Sequence, residues 1–65
     1  MKEDRFKVIV FDMQMEYTMI CVAKTLHDDG GMRRHARNFL RLYRLAETSG
    51  IEDIVMEKVR EVLMK

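Results

Sequence analysis

Gly30, Gly31 and Gly50 are the strong backbone breakers of this 65-residue chain, which contains no proline. Glycine tolerates the left-handed backbone of tight turns, and proline would have ended a helix outright. The chain is therefore divided at two points, into residues 1–29, 32–49 and 51–65. No repeat, low-complexity tract or linker interrupts them, so they read as three units of one small domain. A chain this short buries only about 60% of the surface its unfolded form exposes, which leaves a lone copy marginally stable. Cys21 is the only cysteine, so no disulfide closes within the chain. A compact helical monomer or a homo-oligomer remains, with a homodimer the expected assembly.

The last unit has the simplest pattern. Ser49 and Glu52 stand at capping-box spacing, where each side chain satisfies the other's backbone donor. Ile51, Ile54, Val55, Val59 and Val62 gather on one side, against Asp53, Glu57, Arg60 and Glu61. A helix over about 51–64 follows. The middle unit predicts a helix over about 32–48, stopped by Gly50.

The first unit supports two readings. Residues 6–11, FKVIVF, are β-branched and aromatic as strands prefer, and residues 11–19 alternate apolar and polar without a fault. Yet Phe6, Val8 and Val10 have the opposite parity to Phe11, Met13 and Met15, so one flat strand cannot bury both sets. A helix capped by Asp12 would instead present Met15, Met19, Val22, Ala23 and Leu26 as a stripe. The expectation is a mainly α, three-helix domain with helices at about 13–28, 32–48 and 51–64. A short extended piece at 6–11 would pair with its counterpart in the second copy.

Charge is distributed unevenly along this framework. The stretch 30–46, GGMRRHARNFLRLYRLA, holds five arginines and no acidic residue, or +5; the rest has seven basic against eleven acidic groups, or −4. At about 100° per residue, Arg33, Arg37, Arg41 and Arg44 fall within about 80° of one another, with Arg34 just outside. Met32, Ala36, Phe39, Leu40 and Tyr43 take the opposite side, where the two aromatics are expected to pack. Such a face suits phosphates or an acidic protein surface. Arginine at all five positions favours bidentate contacts, which lysine cannot make. Arg33 and Arg34 also sit in the first helical turn, where the macrodipole disfavours cations; either an anionic partner or Asp28 and Asp29 would offset this. Lys58 and Arg60 add basic groups on the third helix, but Glu52, Asp53, Glu57 and Glu61 surround them. Contacts to nucleic acid should therefore be to its backbone and carry little sequence information.

Other chemistry is poorly supported by the residues. His27, Asp28, Asp29, His35 and Cys21 match no recognised metal-ligand spacing. Cys21 lies in the apolar run MICVA, where a thiol usually acts as a small buried hydrophobe. Met13, Met15 and Met19 read as core filler. No catalytic residue, metal or cofactor is expected, and the chain reads as a non-enzyme. No stretch approaches the ~20 apolar residues of a membrane span. The N-terminus, with acidic groups among its charges, is unlike a signal peptide, and a lone cysteine fits a reducing compartment; the expected location is cytoplasmic.

From Leu42 onward, LYRLAETSGIEDIVMEKVREVLMK resembles a helix-turn-helix. Leu45, Ala46, Gly50, Ile51, Met56 and Val59 stand where that family places its packing residues and its turn glycine. The same stretch also resembles the two helices of ribbon-helix-helix proteins. Either resemblance implies a DNA-binding homodimer active in transcription regulation. Two functional expectations result. One is a small regulator binding nucleic acid through the arginines; the other is a helical interaction module, such as an adaptor, inhibitor or antitoxin-like chain, docking an acidic partner.

Overall fold

The computed structural model describes the backbone of residues 2–63 and the side-chain surroundings of residues 5–61. Three helices follow one another: α1 (Lys2–Thr25), α2 (Asp29–Thr48) and α3 (Glu52–Leu63). The domain is all-α as expected, and the described residues contain no strand. The extended piece at 6–11 is thus corrected: those residues belong to α1, which begins at Lys2 and not near residue 13. A strand needs a neighbour for its backbone groups, whereas a helix closes its own hydrogen bonds. With neither glycine nor proline before Gly30, nothing in the sequence stops one helix from running through both halves of the first unit. The predicted end of α3 at residue 64 lies outside the described residues, as does the side chain of Val62.

The core is small. Ile9 and Met13 from α1, Ala46 from α2, and Val55 and Val59 from α3 form one buried cluster. Phe6, Val10, Phe39, Leu42, Tyr43, Ile51 and Met56 pack around it, half-buried. The Tyr17 and Phe39 rings meet at 6.5 Å and a tilted 57° angle, inside the range of favourable aromatic pairs. Phe39 and Tyr43 therefore pack as expected, while Ala36 and Leu40 are exposed. Ile54, placed on the apolar side of α3 by its spacing, is also exposed.

A larger correction concerns α1. Of the stripe Met15, Met19, Val22, Ala23 and Leu26, only Ala23 is buried. The face that packs runs instead through Ile9, Met13 and Ala23. Methionines 15 and 19 are thus not core filler, and Cys21 is exposed, not a buried hydrophobe.

Both helix connections use the same device. After α1, Asp28 N–H reaches Ala23 C=O (2.8 Å) and His27 N–H reaches Lys24 C=O (3.1 Å), a Schellman closure with His27 left-handed at φ 57°. After α2, Ile51 N–H reaches Ala46 C=O (3.0 Å) and Gly50 N–H reaches Glu47 C=O (3.0 Å), with Gly50 at φ 72°. Gly50 ends α2 as its sequence predicts. Ser49 is the C-cap of α2, however, and not the capping-box partner that starts α3. Gly30 and Gly31 are not the turn; they form the first turn of α2, and Asp28 caps it by accepting Gly31 N–H at 2.9 Å. Gly31 is needed for room: a Cβ there would collide with the Asp28 carboxylate and stand 3.4 Å from Ala23 Cβ.

Candidate nucleic-acid interface

The arginine face is built by the way α2 docks on α1. Gly31, the His35 and Asn38 pair, Phe39, Leu42 and Ala46 turn inward. Glu16 of α1 orients that seam: its Oε2 lies 2.6 Å from His35 Nδ1, and its Oε1 accepts Asn38 Nδ2–H at 3.4 Å. An ionised carboxylate can only accept, so with Glu16 ionised this contact requires a proton on His35 Nδ1. With that side fixed inward, helical periodicity turns the arginines to solvent. Arg33, Arg34, Arg37, Arg41 and Arg44 are all exposed.

Their electrostatic surroundings matter more than their exposure. Among the described residues, no carboxylate comes within 4.0 Å of any of the five guanidinium groups. Asp28, one candidate to neutralise Arg33 and Arg34, instead spends a carboxylate oxygen on the helix cap. Asp29 lies in the first turn of α2 without pairing to an arginine. The acidic groups of α3 form no ion pair with α2 among the described residues either. Arg37, Leu40, Arg41 and Arg44 line an open hollow of about 210 Å³. Three guanidinium forks beside an apolar side chain can hold phosphate oxygens bidentately while Leu40 meets a sugar or side-chain methylene.

The two basic residues of α3 are placed apart from this face. Lys58 pairs with Glu61 at 3.5 Å. Both line a hollow against Phe6, Lys7, Val10, Phe11 and Gln14 of α1, to which no α2 arginine contributes. Arg60 is exposed, and nothing brings it to the arginine hollow.

The His35 side chain contacts Glu16, and the Asp28 carboxylate caps α2; His27 supplies the left-handed backbone of the turn, with its side chain exposed. Among the described residues, no group of three or more His, Cys, Asp or Glu side chains is arranged to hold a metal ion. No helix among the described residues is long and apolar enough to cross a membrane.

No known protein-family model, curated protein or solved structure matches the chain. Function must be argued from the surface itself.

The five arginines that spacing sets on one side of α2 are exposed, but Leu40, expected on the opposite side, lines the hollow with three of them. Spacing missed the Glu16–His35–Asn38 seam, because three polar residues in two helices carry no shared motif. The one signal was positional: His35 and Asn38 lie three apart on the side of α2 opposite the arginines.

Proposed function

We propose that this chain is a small, non-enzymatic regulator that binds nucleic acid as a homodimer, using the α2 arginines on the phosphate backbone. The observation that carries the reading is five exposed arginines on one helix, none paired with a carboxylate among the described residues. Arginines serving only fold stability would be expected to find the carboxylates of a chain with eleven acidic residues. Lys58 and Arg60 supplement the field at longer range but stand outside the contact surface. Backbone contacts of this kind give affinity and orientation without reading bases, so binding should depend little on sequence.

The test is anisotropy of labelled random duplex DNA at about 50 and about 200 mM salt. The native chain should bind in the micromolar range and lose about 10²-fold or more at the higher salt, as release of several counterions requires. Arg37→Glu/Arg41→Glu should abolish binding with helicity unchanged, because both side chains are exposed. Absence of binding at either salt would end the nucleic-acid reading and favour an acidic protein partner. In that second reading, the exposed Leu40 within the arginine hollow supplies the apolar centre such an interface needs.

A further inference from the structure

The outward face of α1 is the largest feature that neither the fold nor the arginine site explains. Val8, Phe11, Met15, Met19, Val22 and Leu26 recur at steps of three or four residues and are 39 to 70% exposed. On the helical wheel they occupy about 80° of arc, and no other residue of that span falls between them. The strip is about 27 Å long, uncharged along its whole length, and opposite the side that packs on the core.

We propose that this strip is the homodimer interface, closed by the same strip of a second copy running antiparallel. Three observations select that occupant. First, the chain exposes 5274 Å² at 7.8 kDa, whereas a compact monomer of that mass exposes about 4,400 Å². Six half-exposed side chains present on the order of 500 Å² per copy, so a symmetric pair reaches about 1,000 Å², the threshold of a specific interface.

Second, the strip is self-complementary about its midpoint at Tyr17. Antiparallel pairing sets Val8 against Leu26, Met15 against Met19, and Phe11 against the Val22–Ala23 step. A two-fold contact requires one patch to fit itself in this way. Third, Arg5 and Lys7 lie at the start of the strip, after Glu3 and Asp4, and Asp29 lies beyond its end, next to the capping Asp28. Antiparallel pairing brings Arg5 and Lys7 toward Asp29 of the second copy, while parallel pairing would set each against its own kind. Helix α1 is therefore apolar on two sides because it serves two cores, one within the chain and one between copies. This inference concerns the dimer of the proposed function and does not depend on phosphate binding; either can fail without the other.

The experiment is sedimentation equilibrium of the full chain, paired with cross-linking. The native chain should sediment at twice the chain mass, and Met15→Glu/Val22→Glu should raise the dissociation constant about a hundredfold or more. In a Cys21→Ser background, Met15→Cys sits near the two-fold axis and should oxidise to a covalent dimer. Val8→Cys alone should not, because its two copies stand about 27 Å apart along the axis. Val8→Cys with Leu26→Cys should cross-link efficiently. If the glutamate variant unfolds, a native melting temperature that rises with protein concentration supports the proposal and a constant one overturns it. A native chain monomeric at every concentration also overturns it and assigns the strip to a foreign partner. Cross-linking through Val8→Cys alone overturns the antiparallel arrangement.

Discussion

At the scale of single residues, the first turn of α2 contains two adjacent glycines with different roles. Gly30 is exposed, and a Cβ there would meet only Asp28 Oδ1 at 3.7 Å, an ordinary contact. Its replacement by alanine should stabilise the domain by up to about 1 kcal/mol, the usual gain in helix propensity. Gly31→Ala would drive its Cβ into the carboxylate that caps the helix. Loss of that cap costs about 1 kcal/mol and offsets the propensity gain. Urea unfolding of the two variants should therefore separate them by about 1 kcal/mol or more, with Gly30→Ala the more stable. Equal stabilisation would mean that Asp28 is not the cap. Glycine composition marked the turn between α1 and α2 in the sequence but not its register. The left-handed residue is His27, which has no compositional signature, and the glycines serve close packing and capping one turn later.

At the scale of elements, α2 and α3 were legible and α1 only in its second half, for one physical reason. Helices α2 and α3 each pair a polar side with an apolar one, and that contrast gives the 3.6-residue period its signal. Around α1, apolar residues lie both toward the core and toward solvent, so no side stands out and the period-two run of residues 11–19 dominates. The same ambiguity turned the stripe outward: Met15 and Met19 are as apolar as Met13, and only the docking of α2 and α3 distinguishes them. That docking depends on the Glu16 seam, where the side chains of Glu16 and His35 are mostly buried. Glu16→Ala would leave the His35 and Asn38 donors partly buried without an acceptor, costing about 1–3 kcal/mol. Glu16→Gln keeps one carbonyl acceptor and should cost clearly less. Thermal unfolding of the pair checks this ordering; equal losses would show that the seam owes its stability to packing alone.

At the scale of the whole molecule, the free protein and its polyanion complex should respond to salt in opposite directions. Arg33–Arg37, Arg34–Arg37, Arg37–Arg41 and Arg41–Arg44 are neighbours at three- or four-residue spacing, and each such like-charge pair costs about 0.2–0.5 kcal/mol. The net −4 of the remaining chain opposes this repulsion, but no carboxylate lies within 4.0 Å of these guanidiniums among the described residues. Repulsion between neighbours therefore outweighs the distant attraction, and it is screened within about 10 Å at 0.1 M salt. Adding salt should raise the melting temperature of the free chain. A phosphate polyanion bound to the folded face at a hundredfold excess over Kd adds about 2.7 kcal/mol, and each kcal/mol moves a domain of this size by about 4–8 °C. That gain disappears as salt weakens binding, so the two melting curves should converge from opposite sides. Differential scanning fluorimetry with and without random duplex DNA reads both trends at once. A free chain that loses stability as salt rises would show that the acidic body holds the arginines by long-range attraction, leaving their charge already compensated before any partner arrives.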